Sequence, residues 1–141
     1  MSGVFVDTSA LYAIFAASDG KHRDAVASFR KLSRERTSLV TTDLVLIESY
    51  VLVHARTGRT GLLRFRNAVG GSAWLETMVA TREHAASAWE LLEQRTDQEY
   101  SYVDATSFVV MRALGIERAF TFDDDFRREG FEIVGGGARK I

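Results

Sequence analysis

The 141-residue sequence contains no cysteine and only three histidines. The absence of cysteine excludes disulfides, thiolate metal sites and a cysteine nucleophile, and the few histidines leave little imidazole for metal binding. Any metal ion should therefore be held mainly by oxygen atoms. Carboxylates and water suit hard cations such as Mg²⁺ or Mn²⁺. The missing residue types therefore favour these ions over metals that bind mainly through sulfur or imidazole.

The sequence also has no long apolar run and no excess of basic charge, and nothing at its N-terminus resembles a signal peptide. No segment reaches the ~20 apolar residues that a membrane-spanning helix needs, so we expect a cytoplasmic protein. The net charge is −1, and a nucleic-acid ligand would therefore need local arginines. Fifteen of the 18 basic residues are arginine, which suits phosphate contacts, although a coding bias explains this excess equally well.

Short apolar runs alternate with longer segments of helical period, which predicts a single α/β domain over residues 1–141. We expect a three-layer α/β/α fold with a mainly parallel sheet. The predicted strands cover residues 4–6, 39–41, 74–79, 100–103, 119–122 and 131–134. The predicted helices cover residues 9–17, 21–35, 43–56, 61–69, 82–95 and 104–114, with a short helical turn near 124–129.

Three local features refine this assignment. The helix over 43–56 is apolar nearly all round, so we expect it to be buried between other elements. Gly115 follows the helix over 104–114 in the position that favours a left-handed C-cap. Residues 135–141 begin with three glycines and are predicted to form a flexible tail.

Three aspartates each follow a predicted strand and precede a helix: Asp7 after 4–6, Asp104 after 100–103 and Asp123 after 119–122. Ligands of parallel α/β sheets bind outside the carboxyl ends of the strands, and neighbouring strands lie only ~4.8 Å apart. The three carboxylates can therefore converge on one cation. The alternative is that each aspartate caps a helix, a role for which this residue type is favoured.

Glu48 interrupts the apolar run of the helix over 43–56. A lone buried glutamate is costly to ionise, so its side chain needs a partner. It either points to the strand ends and completes a site of four carboxylates, or it forms a buried ion pair with an arginine or reaches solvent at the helix edge.

The segments that carry these acids resemble those of a known family. They are residues 5–11 (Phe-Val-Asp-Thr-Ser-Ala-Leu), 48–52 (Glu-Ser-Tyr-Val-Leu), 101–107 (Ser-Tyr-Val-Asp-Ala-Thr-Ser) and 120–126 (Phe-Thr-Phe-Asp-Asp-Asp-Phe). In this order and spacing they resemble the PIN-domain nucleases, and within them the small VapC-type toxins of toxin–antitoxin pairs. The resemblance spans almost the whole chain. Among the three consecutive aspartates at 123–125, the resemblance favours Asp123 as the site residue, and Asp125 is the alternative.

The resemblance implies a Mg²⁺- or Mn²⁺-dependent endoribonuclease that hydrolyses RNA phosphodiester bonds. A carboxylate-bound ion activates water and offsets charge on the phosphate. Asp7, Asp104 and Asp123 are then the metal ligands, and Glu48 positions a water or a second ion. The resemblance also implies a cognate antitoxin and a homodimer.

Other polar residues near these acids have two interpretations. The hydroxyls of Thr8, Ser9 and Thr106 either contact a carboxylate or phosphate, or cap helices. The basic residues after Glu48 either contact RNA, meet a partner or form a solvated face; they are Arg56, Arg59, Arg64 and Arg66.

Other function classes fit less well. A Ser–His–Asp hydrolase is disfavoured because no Gly-x-Ser-x-Gly elbow is present, and Asp-Thr-Ser follows the first strand where nucleotide-binding folds place glycines. A phosphotransfer domain lacks a lysine after a core strand. The main alternative is a PIN-like module that docks protein or RNA without catalysis.

Overall fold

Five short strands form one parallel sheet in the computed structural model, which describes residues 3–135. They are β1 (Val4–Val6), β2 (Leu39–Thr42), β3 (Glu76–Met78), β4 (Arg118–Phe120) and β5 (Glu132–Val134). Their order in the sheet is β3-β2-β1-β4-β5, and every neighbouring pair is parallel. The carboxyl ends of all five strands therefore lie at one edge, with β1 in the middle.

Helices connect the strands: α1 (Thr8–Phe15), α2 (His22–Arg34), α3 (Asp43–Val69), α4 (Arg82–Gln94), α5 (Tyr102–Leu114) and α6 (Asp125–Arg128). Every residue of β1 and β2 is buried, so helices cover both faces of the central strands. The predicted three-layer α/β/α fold with a parallel sheet is confirmed. No helix among residues 3–135 is long and apolar enough to cross a membrane.

Several local predictions are correct for the physical reasons that produced them. The i, i+4, i+7 spacing predicts that Ala25, Phe29 and Leu32 share one face of α2; Ala25 and Leu32 are buried, and Phe29 is partly buried against the core. Gly115 ends α5 with φ 70°, a left-handed conformation that glycine adopts without steric cost. Of the predicted tail, only Gly135 lies within the described residues, and 136–141 lie outside them.

The predicted strand over 100–103 is wrong. Ser101 caps α5, because its hydroxyl accepts a hydrogen bond from the Asp104 backbone N–H at 3.0 Å, and Tyr102 and Val103 are already helical. The tyrosines and the valine in this segment favour a strand, but the capping interaction of Ser101 stabilises a helix that begins here. Asp104 is therefore the third residue of a helix and does not follow a strand.

The third helix also differs from its prediction. The predicted helices over 43–56 and 61–69 form one element, α3, with a kink at Gly58, where φ is 75° and ψ is −169°. Nor is α3 buried all round: Val45 and Val53 are buried, but Ile47 is 55% exposed and Val51 is 65% exposed. One face of this helix packs on the domain, and apolar side chains on another face are in solvent.

Candidate active site

Acidic side chains from two neighbouring strands and two helices gather at the carboxyl edge of the sheet. Asp7 follows β1, and its backbone N–H donates to the Phe120 carbonyl at the end of β4 at 3.0 Å. Asp123 lies three residues after β4, so these two aspartates occupy adjacent positions along the edge. The predicted proximity of Asp7 and Asp123 therefore agrees with the sheet order.

Asp7 is buried, with 4% of its surface exposed. Its Oδ2 accepts hydrogen bonds from Thr121 Oγ1 at 2.9 Å and from Ser9 Oγ at 3.1 Å. Burial raises the pKa of Asp7 to about 6, although the hydrogen bonds from Thr121 and Ser9 lower it, and the charge of Asp123 raises it further. The hydrogen bonds thus fix the position of the Asp7 carboxylate, although burial removes water that would stabilise its charge.

The same two hydroxyls also hold the backbone after β4. Ser9 Oγ accepts from the Phe122 N–H at 3.0 Å, and Thr121 Oγ1 accepts from the Asp123 N–H at 3.0 Å. They therefore couple the position of Asp7 to that of Asp123. Thr121 was missed by the sequence reasoning. The pattern that could have indicated it is a single hydroxyl residue between two phenylalanines at the end of a buried strand.

Asp104 reaches this edge from the first turn of α5. One carboxylate oxygen each of Asp104, Asp123 and Asp125 lie within 4.8 Å of one another. Burial raises the pKa of Asp104 to about 7, and the charges of Asp7 and Asp123 raise it further against the hydrogen bonds from Ser101. These carboxyl groups therefore lie close enough to repel one another.

Asp125, the alternative to Asp123 in the run of three aspartates, belongs to this closely spaced group, and Asp7 does not. The Asp125 backbone N–H donates to Asp123 Oδ1 at 2.9 Å, and the Asp125 carboxylate also pairs with Arg128. The turn after Asp123 places both side chains beside Asp104. The sequence alone does not reveal this turn geometry.

Glu48 extends from α3 to the start of α1. Its Oε1 accepts a short hydrogen bond, 2.5 Å, from the hydroxyl of Thr8, the residue after Asp7. Glu48 forms no ion pair within residues 3–135, so the alternative of a buried arginine partner is not observed. Thr106 donates within its own helix, to the Tyr102 carbonyl at 2.9 Å, and not to an acid.

The histidines have other partners or are exposed. His22 Nδ1 lies 2.7 Å from the Ala13 carbonyl oxygen, and His84 forms the capping box of α4 with Thr81. His54 is exposed on α3. These positions agree with a site built on carboxylates.

The PIN domain family matches residues 4–132, and the chain belongs to this family. The resemblance noted in the sequence is thereby confirmed.

Within the family, the chain is a homologue of VapC20. It is 38% identical over 136 residues to the "23S rRNA-specific endonuclease VapC20" of two strains of Mycobacterium tuberculosis, an alignment that covers 93% of this chain and 97% of each relative. The crystal structure of M. tuberculosis VapC20, described as a "Sarcin-Ricin loop cleaving toxin", superposes with a TM-score of 0.84 and 34% identity, and covers 94% of this chain and 99% of VapC20.

A more distant structure shows the fold alone. FitAcB from Neisseria gonorrhoeae superposes with a TM-score of 0.70 at 12% identity, covering 93% of this chain and 96% of the FitAcB chain.

Proposed function

We propose that this chain is a metal-dependent endoribonuclease, the toxin of a type II toxin–antitoxin pair, that cleaves the sarcin–ricin loop of 23S rRNA. The observation that carries this proposal is the group of carboxylates at the sheet edge, in a chain 38% identical to an rRNA-specific endonuclease. Hydrolysis of a phosphodiester bond needs an activated water and compensation of phosphate charge, and a metal-loaded carboxylate site supplies both.

The donor set fits Mg²⁺ or Mn²⁺, because it consists only of carboxylate oxygens and is partly open to solvent. Asp104, Asp123 and Asp125 hold the ion, and Asp7 contributes a fourth carboxylate from the neighbouring strand end. When bound, the ion lowers the pKa of a coordinated water and offsets charge on the phosphate. Asp7, Asp104 and Asp123 thus keep the ligand role assigned from the sequence, and Asp125 is added.

The remaining polar residues position these acids. Ser9 and Thr121 restrain Asp7 through hydrogen bonds to its Oδ2. Thr8 fixes the Glu48 carboxylate at the start of α1, where Glu48 orients a water for attack.

The proposal is tested by incubating the purified chain with 23S rRNA in Mn²⁺, in Mg²⁺ and in EDTA, and mapping the new RNA ends. We expect one cleavage region, at the sarcin–ricin loop, that disappears in EDTA. Asp104→Asn should abolish cleavage, whereas Asp97→Asn, a matched change at an exposed loop position, should leave it intact. A chain that binds the RNA but never cuts it would instead support the docking module.

The proposed function includes a cognate antitoxin, a second copy of the chain and action in the cytoplasm. Large apolar side chains in solvent support protein contacts: Ile47, Val51, Val79 and Trp89 are each more than half exposed. Light scattering after gel filtration should give twice the monomer mass, and added cognate antitoxin should suppress cleavage in proportion to its concentration. A monomer that the antitoxin leaves active would contradict both partner assignments.

A further inference from the structure

Two basic side chains near the acidic site are held against aromatic rings. The Lys21 Nζ lies 5.8 Å from the centroid of the Phe122 ring, and the Arg56 guanidinium carbon lies 4.9 Å from the centroid of the Tyr12 ring. Such cation–π contacts restrain a long basic side chain without neutralising its charge. Both cations are thus placed by the fold and still available to an anion.

The ring beneath Lys21 belongs to the site edge. Phe122 directly precedes Asp123, and its backbone N–H donates to Ser9 Oγ at 3.0 Å. Lys21 is itself anchored just before α2, where its backbone N–H donates to Asp19 Oδ2 at 3.0 Å. Both the ring and the backbone of the lysine are therefore fixed beside the carboxylates.

Arg56 lies on α3, the helix that carries Glu48. It lies two helical turns after Glu48, about 12 Å along α3, and Tyr12 lies one turn after Thr8 on α1. The Thr8–Glu48 and Tyr12–Arg56 contacts are therefore successive contacts between the same two helices. Arg56 lies on α3, which follows β2, whereas Lys21 lies over the ring of Phe122, which follows β4. Because β2 and β4 are the two neighbours of β1, the two cation–π pairs involve segments that follow the strands on either side of β1.

Neither cation is neutralised by the protein. The third ring-held cation, Arg112 over Phe131, is ion-paired with Glu129. By contrast, Lys21 and Arg56 form no ion pair with any carboxylate within the described part of the chain, residues 3–135. Both residues are exposed, so their charges remain available to an anion from solvent.

We propose that Lys21 and Arg56 bind backbone phosphates of the RNA on the two sides of the scissile bond, so that the strand crosses the start of α1. This inference rests on the proposed function. A cluster of carboxylates repels an RNA backbone, and the chain carries a net charge of −1, so the attraction must come from local cations. Two fixed cations also set the register of the strand over the carboxylates.

The test measures binding of a fluorescent sarcin–ricin-loop RNA hairpin by anisotropy, in an Asp7→Asn background that holds the RNA uncut. Lys21→Gln and Arg56→Gln should each weaken binding about fivefold, the loss of one exposed charge-assisted contact. Each should also lower the slope of log K against log salt by about 0.7, the value for one single-strand phosphate contact. In the cleaving protein, each should raise KM and leave kcat nearly unchanged.

Matched controls use cations at the opposite edge of the sheet. Lys31→Gln and Arg34→Gln, exposed in the last turn of α2, should leave the affinity and the salt slope unchanged. Lys21→Arg and Arg56→Lys keep the charge and should restore binding.

Three results would overturn the inference while leaving the proposed nuclease intact. The first is a Gln variant with wild-type affinity and slope, and the second is an equal loss in the Lys31 and Arg34 controls. The third is a failure of the charge-retaining variants to restore binding. If the wild-type chain does not cut the hairpin at all, the proposed nuclease function is contradicted, and the inference that rests on it is contradicted with it.

Discussion

Replacing Asp7 by asparagine should stabilise the metal-free protein while abolishing cleavage. Asp7 is buried, and its pKa is raised from 3.8 to about 6, mainly by burial. Ionising this carboxyl therefore costs the folded state about 3 kcal/mol at most. Asparagine keeps an oxygen that accepts from Thr121 and Ser9 but carries no charge, so most of that cost should disappear.

The effect of Asp7→Asn should depend on pH with a defined sign. A folded pKa above the unfolded value means that the stability is fully present below about pH 4 and is lost as the pH rises through about 6. In EDTA, the variant should therefore melt about 5–10 °C above the wild type at pH 8 and show little gain at pH 4. Calorimetry across this range measures the difference, with Asp97→Asn as the exposed control.

The second measurement compares the stabilisation of the wild type and of Asp7→Asn by bound metal. At 100 times Kd, Mn²⁺ should stabilise the wild type by about 2.7 kcal/mol, and the variant should gain much less. Asn is nearly as good a helix cap as Asp, so a residue that merely caps α1 would give unchanged stability at every pH and intact cleavage. That result, or an equal Mn²⁺ response in both proteins, would refute the assignment of Asp7 to the site.

Three further predictions concern other groups. Thr8→Val removes the hydroxyl that binds Glu48, so steady-state kinetics should show kcat lower by roughly tenfold at an unchanged KM. Glu129, whose side chain is 4% exposed and pairs with Arg95, has its pKa lowered to about 2 by hydrogen bonds that outweigh its burial. Glu129→Gln should therefore cost about 2 kcal/mol in thermal melts at pH 7, a difference that shrinks as the pH falls from about 4.5 to about 2, because the unfolded state binds the proton before the folded state does. Cleavage should survive replacement of each histidine in turn, since the mechanism uses carboxylates; loss of activity in a folded variant would point to imidazole chemistry.

The fold class followed from local patterns, and the reason is visible in particular elements. The central strand β1 is a short apolar run that is buried on both faces, β2 and β4 each contain adjacent buried apolar residues, and the intervening segments repeat apolar residues at helical spacing. Gly115 marks the end of α5 because the left-handed C-cap is a property of the local backbone. Signals of this kind act over a few residues and can be recognised without the tertiary structure.

The errors arose where local signals compete. Residues 100–103 contain two tyrosines and a valine that favour a strand, yet the Ser101 cap begins α5 there. Two separate helices were predicted over 43–56 and 61–69, whereas Gly58 only kinks α3 through its positive φ. The prediction that α3 is buried on all sides was wrong, because an apolar composition does not show which face of a helix packs against the rest of the domain.

By itself, the sequence determined the residue types of the site and most of their order: acids after β1 and β4, one on α3 and one in the first turn of a long helix, with no sulfur ligand and little imidazole. The tertiary structure alone decided which of them meet. Asp125 joins Asp104 and Asp123 because the turn after β4 directs both side chains to α5, and Thr121 reaches Asp7 because β1 and β4 are neighbours. Distances between side chains from different elements depend on strand order and helix packing, which no local spacing in the sequence encodes.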